Sequence, residues 1–203
     1  MATPAQLVET VSAVTGVPIP TVIDIDRKLV KAGFRTLGGR GRSAARMTAR
    51  DAACLLTGVL ASAQAATCAE AVQRYAATTL DIKRSTQGGL KTIHRKAFSS
   101  LPARHGFVDA LEALIAWAML GEMNATEGVS PSIEVFAFTR ATYGRIRLSG
   151  LPDGATVLAE YLPSAKIRPA RHTAVDAPGD LEQSRRITGR TILAVAHLLA
   201  EEK

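Results

Sequence analysis

The chain has 203 residues, 47% hydrophobic and only 4% aromatic, with a formal charge of +7 and a pI near 9.8. That length can bury a core without disulfide or metal support, and that charge favours a polyanionic partner. Cys54 and Cys68 form no C-x-x-C pair, no signal peptide opens the chain, and no apolar run nears the ~18 residues of a membrane span. A disulfide framework, a zinc site and a transmembrane protein are therefore not expected, and the cytoplasm is the expected compartment.

Pro4 to Thr15 sets Leu7, Val8, Val11 and Val14 at helical spacing, with Thr3 as cap and Pro4 in the first turn; Gly16 ends this helix. From Pro20 the pattern resumes with Val22, Ile25 and Leu29 on one face, while Thr21, Asp24, Lys28 and Lys31 point elsewhere, until Gly33 stops it. Between Arg27 and Arg50 eight residues are Lys or Arg and none is acidic. Arg27, Lys28 and Lys31 end the second helix, Arg35 follows it, and Arg40, Arg42, Arg46 and Arg50 come after. Gly38-Gly39-Arg40-Gly41-Arg42 is too glycine-rich for a helix and too charged for core. An arginine loop beside a helical unit is the pattern of a phosphate-backbone contact.

The run from Leu7 to Leu29 resembles the helix-turn-helix of many bacterial and phage transcription regulators. That pattern wants a small residue four before the turn glycine and apolar residues one, six and nine after it, here Ser12, Val17, Val22 and Ile25. Ser12 lets the helices approach, Gly16 takes a turn conformation other residues resist, and the apolar three lock the second helix for a major groove. The sequence departs from the pattern at Pro18 and Pro20, which crowd the turn, and at Thr15, where an apolar residue is common. Lys31 to Thr48 is similar to the basic wing of winged helix-turn-helix proteins, and arginine suits such a loop because its fork grips phosphate or enters a narrow minor groove.

The resemblance covers about the first sixty residues. It implies double-stranded DNA as partner, with Thr21, Asp24, Arg27 and Lys28 facing bases, Lys28, Lys31 and Arg35 on flanking phosphates, and Arg40, Arg42 and Arg46 on backbone or minor groove. Asp24 and Asp26 work against a crude electrostatic grip, although an acidic side chain can accept from a cytosine amino group. The plain alternative is a core helix hairpin followed by a solvated connector.

Thr48 opens a third helix, with Asp51 at capping-box spacing and Ala52, Leu55, Leu56, Val59 and Leu60 as its stripe. A fourth, about Cys68 to Thr79, turns Ala69, Val72, Tyr75 and Ala76 inward, which makes both cysteines small core residues. Asp81 to Arg104 is a second basic stretch, with Lys83, Arg84, Lys91, Arg95, Lys96 and Arg104 against one acid, and its Gly88-Gly89 and Ser99-Ser100 pairs read as a linker. His94 and His105 lack carboxylate or cysteine company and are poor metal or catalytic signals.

Phe107 to Leu120 is apolar around most of its circumference, so it is expected to lie centrally or against another subunit. A homo-oligomer, dimeric or higher, is the expectation, because protein symmetry matches repeated DNA sites. Next the period turns to alternation: Ser132–Thr139, Tyr143–Ser149 and Thr156–Leu162 read as an antiparallel meander with a turn at Pro152-Asp153-Gly154. It would bury Val135, Ile146, Leu148 and Leu158, with Arg145 and Arg147 sharing a face. Pro163 to Gly179 reads as a connecting arm, and Ile187 to Ala200 as a last amphipathic helix with Ile192, Val195, Ala196 and Leu199 inward and His197 at a surface or interface.

The expected fold is mainly α (α+β): a winged helix-turn-helix at 1–62, a helix and basic linker at 63–106, and an α+β oligomerisation domain at 107–203. With no Walker loop, G-x-S-x-G or H-E-x-x-H, neither an enzyme nor a cofactor or metal is expected. The expected function is sequence-specific binding of double-stranded DNA by a homo-oligomeric transcription regulator. Two alternatives stand beside it: a DNA-packaging adaptor resembling phage small terminase subunits, and a protein-interaction module without nucleic acid.

Overall fold

A computed structural model describes residues 2–37, 46–62, 64–86, 90, 96–123, 130–137, 142–151, 156–163 and 184–200. The elements run α1 (Pro4–Thr15), α2 (Ile19–Lys31), α3 (Ala49–Ala61), a 3-10 turn (Ala65–Thr67), α4 (Cys68–Ala76) and β1 (Thr78–Leu80). They continue with α5 (Lys96–Ser99), α6 (Phe107–Met119), β2 (Ser130–Ala137), β3 (Thr142–Ser149), β4 (Val157–Pro163), β5 (Ser184–Thr188) and α7 (Gly189–Ala200).

Local chemistry explains where the first three helices start. Thr3 and Gln6 form a capping box on α1, and Thr48 and Asp51 form one on α3, each satisfying N–H groups that have no partner inside the helix. The two prolines of the first turn cause no break: Pro18 is the last residue before α2, and Pro20 lies within its first turn, where a missing N–H costs nothing.

Helix α3 is the centre of the molecule. Every residue from Asp51 to Ala61 is buried, so the expected stripe widens to the full circumference, with α2, α4, α6, α7 and the sheet around it. Small residues make this closeness possible. A Cβ on Gly58 would lie 3.1 Å from Ile25 and 3.3 Å from Leu29, which places the axis of contact between α2 and α3 at that glycine.

The sheet is antiparallel with order β1-β4-β3-β2-β5. Its three central strands are the expected meander, and two further strands flank it. β1 takes Thr78 and Thr79 from what periodicity assigns to the fourth helix; the helix stops at Ala76, and these β-branched residues pair with β4. β5 takes Ile187 from the expected last helix, which begins instead at Gly189. Ile146 and Leu148 are buried as expected, whereas Leu158 is only half-buried and Val157, Ala159 and Tyr161 fill the core face of β4. A shift of one residue reverses every side chain in a strand. Val135 lies outside the described side chains.

One contiguous cluster of buried apolar side chains runs from Ala2 to Ala196, across the expected boundaries at 62/63 and 106/107. Helix α1 packs on α7, and α3 on α6. Most of the apolar circumference of α6 packs against α3, α4, α5 and α7 of the same chain, the central position expected for it, while Leu120 just past its end is exposed. The described parts of the second basic stretch are not a free linker either. Asp81 and Thr86 donate backbone N–H groups to Glu160 and Leu158 along the edge of β4, at 2.8 and 2.9 Å, and Leu90, Phe98 and Leu101 are buried.

His105 is a core residue: one ring nitrogen meets the Pro102 carbonyl at 2.9 Å and the other the Tyr161 hydroxyl at 3.0 Å. Tyr75, Phe107 and Tyr161 form a chain of edge-on rings beside it, with centroids 5.4 and 5.6 Å apart. No described helix is long and apolar enough to cross a membrane.

Candidate nucleic-acid interface

Helices α1 and α2 are joined by Gly16, Val17 and Pro18. Gly16 has φ +72, the left-handed region, and its N–H donates to the Ser12 carbonyl at 2.9 Å. The Ser12 hydroxyl donates to the Val17 carbonyl at 2.7 Å, so the small residue before the turn also pins it. Thr15 is equally occupied, donating to the Val11 carbonyl at 2.6 Å and accepting from the Val17 N–H at 3.4 Å. With Val22, Ile25 and Leu29 buried, one face of α2 is left to solvent: Thr21, Asp24, Arg27 and Lys31 are exposed and Lys28 is half-exposed.

The two acids of this helix are both neutralised. Asp24 holds Lys28 at 2.6 Å, one turn on. Asp26 is buried and meets Arg35, whose Nη2 donates to Oδ2 at 2.9 Å while Nε lies against Oδ1. Arg35 is thus corrected from a phosphate contact to a structural residue: it is 8% exposed, and its guanidinium also reaches the Met47 sulfur at 3.0 Å. Arg50 bridges to Asp109 at 2.6 Å and Glu112 at 3.1 Å on α6. Of the eight cations between Arg27 and Arg50, Arg27, Lys31 and Arg46 are exposed, and Arg40 and Arg42 lie outside the described residues.

The stretch carrying those arginines starts and ends at one carboxylate. Asp51, in the first turn of α3, accepts the Thr36 N–H at 2.7 Å and the Thr48 N–H at 2.9 Å, and both threonine hydroxyls as well. The capping-box spacing reveals the Thr48 half of this clamp; the Thr36 half comes from a residue fifteen positions away. Described residues on either side of the stretch, 32–37 and 46–48, form no strand, so the hairpin of a wing is not seen among them.

Tertiary structure adds cations that sequence reasoning passed over. Arg185, Arg186 and Arg190, from β5 and the start of α7, line a cavity of about 590 Å³ together with Thr21 and Ile25 of α2. Arg185 donates to the carbonyls of Val59 at 2.9 Å and Ser62 at 2.7 Å, at the end of α3 where carbonyls lack helical partners and a cation is favoured. A signal existed, three arginines within six residues, but nothing local tied it to a helix some 160 positions earlier.

Chemistry elsewhere is quiet. Burial pushes the Cys54 thiol up to about 11 and raises that of Cys68, so neither is a ready nucleophile near neutrality. Among the described residues no group of three or more His, Cys, Asp or Glu is placed to hold a metal ion. No protein-family model, curated protein or solved structure matches the chain.

Proposed function

We propose that the protein binds double-stranded DNA through the exposed face of α2 and acts as a sequence-specific regulator. The observation that carries the reading is the α1–α2 pair. A left-handed glycine and a serine-pinned turn hold α2 with its apolar side inward, and Thr21, Arg27, Lys28 and Lys31 are left facing outward. Neutralisation of Asp24 and Asp26 removes the electrostatic objection to a phosphate contact there. Arg27, Lys31 and Arg46 are the described positioning cations, with Arg40 and Arg42 assigned to the same role from their place in the sequence.

The test is fluorescence anisotropy with duplex DNA at two salt concentrations. Replacing Arg27, Lys31 and Arg46 by alanine should weaken binding to all sequences and flatten the slope of log K against log salt by ~0.9 for each phosphate no longer neutralised. Arg40→Ala with Arg42→Ala should behave alike, whereas Thr21→Ala or Lys28→Ala should alter sequence preference. Unchanged binding in both sets would defeat the reading. Light scattering on the same sample separates a dimeric regulator from a ring-forming packaging adaptor.

A further inference from the structure

The solvent side of α2 carries three cations, Arg27, Lys28 and Lys31, and one acid, Asp24; the other acid of the helix, Asp26, is buried against Arg35. Asp24 is exposed, in the half of the helix nearer the turn. An ionised carboxylate only accepts hydrogen bonds, and a phosphate oxygen has none to give. On a helix that met nothing but backbone, Asp24 would have no task.

Asp24 and Lys28 are set side by side with their outer edge open. Nζ of Lys28 donates to Oδ2 of Asp24 at 2.6 Å, and an acid four residues before a lysine is the favourable order on a helix. An ammonium has three donors and a carboxylate two acceptor oxygens. Neither side chain has another hydrogen-bond partner among the described residues, so an acceptor oxygen and two donors are left for a third party.

The major-groove edge of a base pair is such a party. In a cytosine–guanine pair the cytosine amino donor lies about 2.9 Å from guanine O6, with guanine N7 next to it. That spacing is close to the 2.6 Å between Oδ2 and Nζ, and both spare donors of Lys28 find an acceptor. An adenine–thymine pair also sets an amino group beside a carbonyl, but thymine offers O4 alone, next to a methyl group, so one lysine donor goes without.

Given the proposed DNA contact, on which this rests, we infer that Asp24 and Lys28 together read one cytosine–guanine pair, Asp24 accepting from the cytosine amino group and Lys28 donating to guanine O6 and N7. Arg27 and Lys31 then supply a grip common to all sequences. Asp24 makes that grip selective, because without a cytosine opposite it the carboxylate is desolvated with nothing to accept.

Selection of duplexes from a randomised pool by the full chain, followed by anisotropy on the selected duplex with one base pair changed at a time, tests this. One cytosine–guanine position should emerge at which replacement weakens binding roughly five- to hundredfold. Asp24→Ala and Lys28→Ala should each erase the preference at that same position and leave the others standing, while affinity for unrelated duplexes should not fall in Asp24→Ala. Lys28→Arg should keep the guanine preference, since a guanidinium fork also reaches O6 and N7. Glu70→Ala, which breaks a comparable exposed pair with Arg74 on α4, should change no position. A uniform loss across all duplexes, two variants acting at different positions, or a motif that neither alters would overturn the assignment and leave the DNA contact in place. No duplex binding by the unaltered chain would end both.

Discussion

Arg35 shows how burial changes what a charge is for. In the sequence it is one of eight cations in an acid-free stretch; in the structure it is sealed against Asp26 and fastens the chain after α2 to that helix. Removing one partner of such a pair leaves an uncompensated buried charge, so Asp26→Asn or Arg35→Met should each cost about 3–5 kcal/mol in urea unfolding. The double replacement Asp26→Leu with Arg35→Met should recover most of that loss. Cys54 carries a second expectation. Its thiol is raised from 9.0 to about 11 by burial, so the stability it contributes is complete below pH 9 and is lost as pH climbs through 11. Burial raises Tyr75 and Tyr161 in the same direction. Thermal midpoints followed from pH 8 upward should therefore fall on the alkaline side, less steeply in Cys54→Ala.

Two glycines are required at the scale of elements, for different reasons. At Gly16 a Cβ would meet nothing within 4 Å, but φ is +72, so Gly16→Ala should cost about 1–2 kcal/mol through backbone conformation alone. The α1–α2 turn would then adjust, and on the proposed DNA reading duplex affinity should fall with it. At Gly144, the third residue of β3, a Cβ would sit 2.6 Å from the Phe107 ring. Phe107 is locked between Tyr75 and Tyr161, so Gly144→Ala should cost about 1–3 kcal/mol by overpacking. Chemical denaturation measures both. A smaller loss at Gly144 than at Gly16 would show that the ring cluster yields.

Across the whole molecule, α1 and α2 are not an independent headpiece. Helix α1 rests on α7, and α3 is surrounded by elements from both halves of the chain. A fragment of residues 1–62 would lose the α4, α6 and α7 surfaces that pack on α3 and should show no cooperative thermal transition, in contrast to the full chain. A sharp transition for the fragment would restore the modular picture. The same interleaving bears on assembly. The buried apolar face of α6 packs inside the chain, and on the proposed DNA reading the face of α2 stays clear of any contact between copies.

Helices α1, α2, α3 and α6 and the central strands β2, β3 and β4 were legible in the amino-acid order because their cues are local. Thr3 and Thr48 cap, Gly16 turns left-handed, and Val22, Ile25 and Leu29 recur at helical spacing. Strands β1 and β5 were not, since each is short and exists only by pairing with a partner far along the chain: Thr78 with Pro163, Ile187 with Ile133. The roles of the arginines divided in the same way. Composition alone determined that the stretch from Arg27 to Arg50 is positive; only the packing decided that Arg35 would be spent on Asp26 and Arg50 on α6, while Arg186 and Arg190 would stand beside Thr21. Charge belongs to the residue, but what a charge faces belongs to the fold.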